Sequence, residues 1–352
     1  MIKIAREQKK VNQVKRNKGS KSRTGRDAPS AVRRADGARA SLVVGVDGGG
    51  TKTHAVVMNV DGRTLGEGHA GASNPLRVGV HASVAAIREA VDKACDHARV
   101  SRAEIMAAQV GLAGARREDL RASVRRALIH SLGIARTEIV TDADIALYGA
   151  TAGEPGVVVI AGTGSICCGL NERKVRACMG GWGPLAGDEG SGSWIARRAL
   201  QRVAHAADGR GAETSLVRAA CDYFHVAKPY DLLLALYAPS MTHSRVAGFS
   251  RHVVEEAKKR DAVARKLITD AGVELGELAA SLIRRLRMGR DSFSLVTIGG
   301  VFKAGALVLA PMKKEVALVA PHARFAEPLM EPAVAAAHMA REHLPQRLPL
   351  AS

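Results

Sequence analysis

Hydrophobic positions in this chain form two kinds of stretch, short apolar runs and longer ones with helical spacing, and the two alternate. Leu42–Asp47, Ala55–Val60 and Thr64–His69 are runs of strand length, with Asp61-Gly62 as a hairpin turn between the last two. Val84–Ala98 has an amphipathic helical period, Ile105–Leu112 reads as a strand, Glu118–Ser131 as a helix, Glu138–Thr141 as a strand and Ile145–Thr151 as a short helix. After a Gly153-Glu154-Pro155-Gly156 hinge the order partly repeats. Val157–Ala161, Ser165–Leu170 and Val175–Cys178 are predicted strands; Ser191–Ala207, Ser215–Val226, Asp231–Leu236, Arg245–Lys259 and Ala262–Arg287 are predicted helices. Ser294–Ile298 is a buried strand leading to Gly299-Gly300, followed by helices through Ala304–Leu309 and over Pro332–His343. Hairpins followed by α/β crossovers, twice over, predict two related α/β lobes with a cleft.

Each half carries a glycine-rich turn between two strands, in VDGGGTKT (Val46–Thr53) and in AGTGS (Ala161–Ser165). Without Cβ atoms such turns present backbone N–H groups to a concavity suited to phosphate. Gly48, Gly49, Gly50, Thr51 and Lys52 are the candidate phosphate contacts of the first turn; Gly162, Thr163, Gly164 and Ser165 are those of the second. The order G-x-x-x-x-G-K-[ST] is absent, so neither is a Walker A loop. Asp47 ends an apolar strand, where a lone carboxylate beside phosphates suits Mg²⁺. Asp142 follows another strand at a helix start; it reads either as an N-cap or as a group that takes a proton from a hydroxyl attacking a γ-phosphate. Asp188, in the Gly-dense segment before Ile195, can hold two sugar hydroxyls or simply open a helix, and Glu189 beside it is the weaker candidate. Asn74 before Pro75 is a turn residue or a hydroxyl ligand.

Composition narrows the partners. Of the net charge of +18, +10 falls in residues 1–40, which hold 13 Lys/Arg and three acidic residues with no apolar period. That segment is expected to be a solvated, disordered tail; a nucleic-acid tether is the alternative, and the rest of the chain gives no sign of nucleic-acid binding. No apolar run reaches bilayer length and no secretory h-region is present, which predicts a cytoplasmic protein away from membranes. Aromatics make up only 3% of the chain, so the core is built of Ala, Val, Leu and Ile. The five cysteines lack CxxC spacing and are expected as reduced thiols. His54, His69 and His81 lack metal-ligand spacing and read as surface or packing residues; Trp194 reads as core, and Trp182 is a candidate sugar flank.

DGGGTKT, AGTGS, GGWGPLAGDEGS and the late IGGV together resemble the sugar-kinase and actin-like ATPase superfamily, and within it the N-acetylglucosamine kinase and BadF/BadG/BcrA/BcrD ATPase family. The resemblance runs from about Val43 to His343. It implies two ribonuclease-H-like lobes closing over ATP, Mg²⁺ and a sugar, with residues 41–152 and 328–345 in one lobe and 153–327 in the other. It makes Asp142 the catalytic base, Asn74, Gly181 and Asp188 the sugar ligands, and Gly299 and Gly300 the backbone against which adenosine lies. The implied reaction is phosphorylation of an amino sugar, N-acetylglucosamine at its 6-hydroxyl. Leu76 stands where the human-type enzyme has Trp and Ala113 where it has Ser, so glucosamine stays open. Relatives are often dimers, which admits a homodimer. A second reading of the resemblance is an ATPase activator of a 2-hydroxyacyl-CoA dehydratase or benzoyl-CoA reductase, with Cys167, Cys168 and Cys178 near the second turn raising the question of a cluster. A third is a sugar sensor without catalysis.

Overall fold

The computed structural model describes residues 41–344, so the basic segment 1–40 and residue 345 of the expected first lobe lie outside the described residues. Two five-stranded mixed sheets form the frame. The first contains β1 (Leu42–Gly48), β2 (Thr53–Asn59), β3 (Thr64–Ala70), β4 (Ile105–Leu112) and β5 (Thr137–Thr141), with α1 (Pro75–Ala98) and α2 (Glu118–Leu132) as crossovers. α3 (Asp142–Thr151) links it to β6 (Gly156–Ala161), β7 (Ser165–Leu170) and β8 (Arg176–Gly180) of the second. A helical layer follows: α4 (Gly192–Ala207), α5 (Leu216–Phe224), α6 (Leu232–Leu236), α7 (His243–Gly248), α8 (Ser250–Lys258) and α9 (Ala262–Leu286). β9 (Ser294–Ile298), α10 (Ala306–Ala317), β10 (Arg324–Ala326) and α11 (Pro332–Glu342) are the last strands and α-helices among the described residues. The strand orders, β3-β2-β1-β4-β5 and β8-β7-β6-β9-β10, are the same topology used twice.

Alternation along the strands assigns the faces. In β1, Val44 and Val46 pack with α1 and α2, while Val43 packs with Ala333, Ala337 and Ala340 of α11. In β6, Val157 and Val159 face the large helical layer, and Val158 faces Ala143, Leu147 and Ala150 of α3. The bridging helices are therefore exchanged: α3 follows the first sheet but covers the second, and α11 follows the second sheet but covers the first. Small residues allow this. A Cβ at Gly45 would stand 2.0 Å from the backbone N of Ala337, so α11 lies directly on the sheet only because Gly45 has none. The two helices meet where Leu329 and Met330 donate to the Gly149 carbonyl at 2.9 and 3.1 Å.

The departures from the sequence reading have local causes. α1 begins at Pro75, earlier than the expected Val84, because Asn74 caps it; Gly79 (φ 79°) then interrupts the helix, hiding the first turn from a periodicity count. The expected Arg245–Lys259 helix is two, meeting at Phe249. β10 was not expected and is held by pairing with Ser294–Val296. The expectation that all cysteines are reduced is corrected: Cys168 and Cys178 sit opposite each other on β7 and β8 and are joined as a disulfide, while Cys95, Cys167 and Cys221 are free.

Candidate active site

Asp142 lies at the junction of β5 and α3. The cap there is Thr141, whose Oγ1 accepts from the Asp144 N–H at 3.3 Å while the Asp144 carboxylate accepts from the Thr141 N–H at 2.9 Å. Asp142 is therefore the first helical residue and not the N-cap; its Oδ1 accepts from the Ala143 N–H at 3.0 Å. Burial pushes its carboxyl above the usual range. Asp47, at the end of β1, is pushed up to about 6, first by burial and then by the Asp142 charge, with Lys52 opposing. The half-buried Asp47 and the cavity-lining Asp142 thus influence each other electrostatically near the end of the first sheet. Asp144 is taken up by the capping box and by an ion pair with Arg176 of β8, which crosses between the lobes.

Across the cleft, Asp188 is buried in the left-handed backbone region (φ 60°), and its Oδ1 accepts from the Ser165 N–H at 3.3 Å. Burial is the first cause of its raised carboxyl pKa. A Cβ at Gly164 would come within 2.7 Å of this carboxylate, which is why the second turn has glycine there. Ser165 Oγ donates to the Glu189 carbonyl at 2.7 Å, and the Gly192 and Ser193 N–H groups at the start of α4 donate to Gly162 and Thr163 at 2.8 and 3.1 Å. The AGTGS turn and the GDEGS segment are one hydrogen-bonded unit. Gly181 donates to the Ser165 carbonyl at 2.9 Å, placing the GGW backbone beside it.

Asn74 takes the turn role expected of it. Its Oδ1 accepts from the Leu76 N–H at 3.0 Å as the α1 cap, and the residue lines the cleft. The first turn braces this loop, since the Gly49 carbonyl accepts from Ser73 and Asn74 at 3.0 and 3.1 Å.

Two cavities adjoin. One of about 800 Å³ is lined from the first lobe by Asn74 and Asp142 and from the second by Gly164, Ser165, Gly181 and Asp188. The other, of about 620 Å³, is lined by Gly300, Val301 and residues of α7 and α8. Gly162 and Thr163 line both, so a ligand spanning the two passes over the second turn. Gly48, Gly49, Gly50, Thr51 and Lys52 line neither cavity; Thr51 and Lys52 are exposed. Gly299 (φ 123°) lines neither cavity, and a Cβ there would meet the Ala161 carbonyl oxygen at 2.3 Å. Trp182 is exposed under the Arg116 guanidinium, 5.5 Å from its ring centre, and Trp194 is buried. Sequence reasoning missed the arginines of the larger cavity, among them Arg116, Arg176 and Arg285, and the α7–α8 wall of the smaller one. The Arg116-Arg117 pair just after β4 was the available signal.

The family description BadF/BadG/BcrA/BcrD ATPase family matches residues 44–340. The chain belongs to this family. Like other members it is an ATP-using protein with the two-lobed actin-like fold. It is 33% identical over 260 residues to the N-acetylmuramic acid/N-acetylglucosamine kinase of Clostridium acetobutylicum, covering 74% of this chain and 85% of that one. It is 31% identical over 313 residues to the N-acetyl-D-glucosamine kinase of Dictyostelium discoideum, covering 85% and 97%. A solved chain of Chromobacterium violaceum, provisionally assigned as an N-acetylglucosamine kinase, superposes with a TM-score of 0.72 at 26% identity, covering 86% of this chain and all of that one. The cysteines give no support to an iron–sulfur activator: Cys168 and Cys178 bond each other, and Cys167 is buried in the core with its thiol pushed far up by desolvation. Among the described residues no helix is long and apolar enough to cross a membrane.

Proposed function

We propose that this chain transfers the γ-phosphate of ATP to an amino sugar, N-acetylglucosamine at its 6-hydroxyl or the corresponding hydroxyl of glucosamine. One observation carries the reading. Asp142 sets its carboxyl in the wall of a cavity built by both lobes, and Thr141 has relieved it of helix capping. The named kinase relatives support the substrate class.

In this reading the sugar occupies the larger cavity, where Asp188 and Asn74 accept and donate to its hydroxyls and the Gly181 backbone limits its position. The adenosine occupies the smaller cavity against Gly299-Gly300, and the triphosphate crosses the amides of Gly162, Thr163, Gly164 and Ser165. Closure of the lobes brings Gly48, Gly49, Gly50, Thr51 and Lys52 onto the far phosphates. Asp142 takes the proton of the attacking hydroxyl as its oxygen bonds the γ-phosphorus and the bond to the β-phosphate oxygen breaks, releasing ADP. The electrostatically coupled Asp47 and Asp142 carboxyls, both raised in pKa by desolvation, fit a divalent cation. Asp47 would hold Mg²⁺, which supplies charge neutralisation of the polyphosphate. The rest of the rate enhancement is positioning and preorganised backbone dipoles. We assign residues 41–152 with 328–345 to one lobe and 153–327 to the other, and place the enzyme in the cytoplasm, where a homodimer is in keeping with its relatives.

The test is ADP release from MgATP with N-acetylglucosamine, glucosamine, N-acetylmuramic acid and glucose. The reading expects amino-sugar-dependent turnover. Turnover equal with and without any sugar contradicts it.

A further inference from the structure

The first sheet carries a second cluster of ligating side chains, away from both cavities. His54 of β2 pairs in register with His69 of β3, and Val56 pairs with Glu67, so the two histidines and the carboxylate lie on one face of neighbouring strands. Their imidazole nitrogens and carboxylate oxygen all lie within 4.8 Å of one another. Nothing in linear spacing reveals this, since the ligands meet across a hairpin.

We propose that His54, Glu67 and His69 form a binding site for one divalent transition-metal ion of the Zn²⁺ class. Two imidazoles and one carboxylate suit such an ion and leave a fourth position open. Glu67 Oε2 stands 3.4 Å from His54 Nε2. Two donors on a tetrahedral Zn²⁺ at roughly 2.0–2.1 Å each are about 3.3 Å apart, so this edge of the site is already formed. The rings of His54 and His69 stack at 4.4 Å between centroids, and a small rotation of each brings both nitrogens to one ion. His54 Nε2 is buried and makes no aligned hydrogen bond, an unmet polar atom turned toward the other two ligands.

The scaffold is rigid on the opposite face. The backbone of α1 lies against β3 so closely that a Cβ at Gly68 would be 2.1 Å from the Ala90 carbonyl oxygen. The His69 carbonyl accepts from Lys93 Nζ at 3.0 Å, and the Glu67 N–H donates to His97 Nδ1 at 3.1 Å. Ligands fixed in this way lose little entropy on binding a metal. Because β3 is the edge strand, the ion would staple β2 to the free edge of the sheet. His54 also lies opposite Asp47 in the β1–β2 register, which puts the staple one strand from the phosphate turn.

The test uses the full chain stripped with chelator, in excess Mg²⁺ so that Asp47 does not report, and without sugar or nucleotide. Zn²⁺ titration by calorimetry should give one equivalent, and Co²⁺ should develop visible d–d absorption. His69→Ala, at an exposed position, should keep the wild-type circular dichroism while weakening Zn²⁺ binding at least tenfold, with Glu67→Gln in the same direction. Zn²⁺ at a hundredfold excess over its Kd should raise the wild-type Tm by roughly 4 °C, with no rise in His69→Ala. A wild-type protein that takes up no Zn²⁺, or a His69→Ala protein that takes it up equally well, overturns the proposal.

Discussion

The two lobes share one topology and differ at the ends of the same strands. On the face covered by the exchanged helix, β1 ends in Asp47 and β6 ends in Ile160. After β4 the chain continues with Ala113, which carries a Cβ and donates to the Gly48 carbonyl at 2.8 Å; after β9 it continues with Gly299, where a Cβ is shut out by Ala161. The crossover from β3 to β4 is mainly one helix, whereas that from β8 to β9 is a layer of six. The lesson is a division of labour within a duplicated frame. The first lobe keeps the carboxyls Asp47 and Asp142, both raised in pKa by desolvation, and the second keeps the AGTGS turn and the smaller of the two cavities. Asp188 is the acidic group on the second side, and it is tied to its own turn by the Ser165 N–H.

Asp142→Asn should break the asymmetry most severely. Turnover is expected to fall about 10²–10⁴-fold, the usual worth of a positioned general base, while sugar affinity measured by calorimetry changes less than about threefold. The wild-type kcat/KM should fall as pH drops through the raised Asp142 pKa, because only the ionised carboxylate accepts the proton. An acid limb in the ordinary carboxylate range would count against that assignment.

Asp47→Asn and Ile160→Val test the paired strand ends by stability. The Asp47 carboxyl is about 6 in the fold against an ordinary 3.8, so its charged form opposes folding fully above pH 6, and that cost fades as pH falls from 6 toward 3.8. Without divalent cations at pH 7.5, Asp47→Asn should stabilise by on the order of 1–3 kcal/mol, and the gain should shrink by pH 5. Ile160→Val should destabilise by roughly 0.5–1.5 kcal/mol at both pH values. Urea titration decides; a loss of stability in Asp47→Asn at pH 7.5 would contradict the account.

Smaller effects separate the two glycines after β9. Gly299→Ala combines φ 123° with contact to Ala161 and should cost about 1–3 kcal/mol in the nucleotide-free protein. Gly300→Ala meets nothing within 4 Å and should stay within about 0.5 kcal/mol. Equal costs at the two positions would mean that the close approach to β6 is not the reason for Gly299.

Much of this was legible in the chain. The runs around Val44, Val110, Val158 and Val296 are apolar enough to name their strands, and the DGGGTKT and AGTGS turns mark where both sheets end. What escaped was set by partners distant in sequence. Arg324–Ala326 is too short to show alternation and is a strand only because β9 offers its edge. Cys168 and Cys178 meet through the β7–β8 register, and His54, Glu67 and His69 through that of β2 and β3. Asp142 could be narrowed to cap or base; only the Thr141–Asp144 capping box shows that the cap is filled by another residue.

The central claim is phosphate transfer to an amino-sugar hydroxyl held between the lobes. Its most direct test is ³¹P NMR of the product formed by the wild-type protein from MgATP and N-acetylglucosamine. The account predicts a phosphomonoester on the 6-oxygen, formed one-to-one with ADP. Inorganic phosphate alone, or phosphate on the anomeric oxygen, would contradict it.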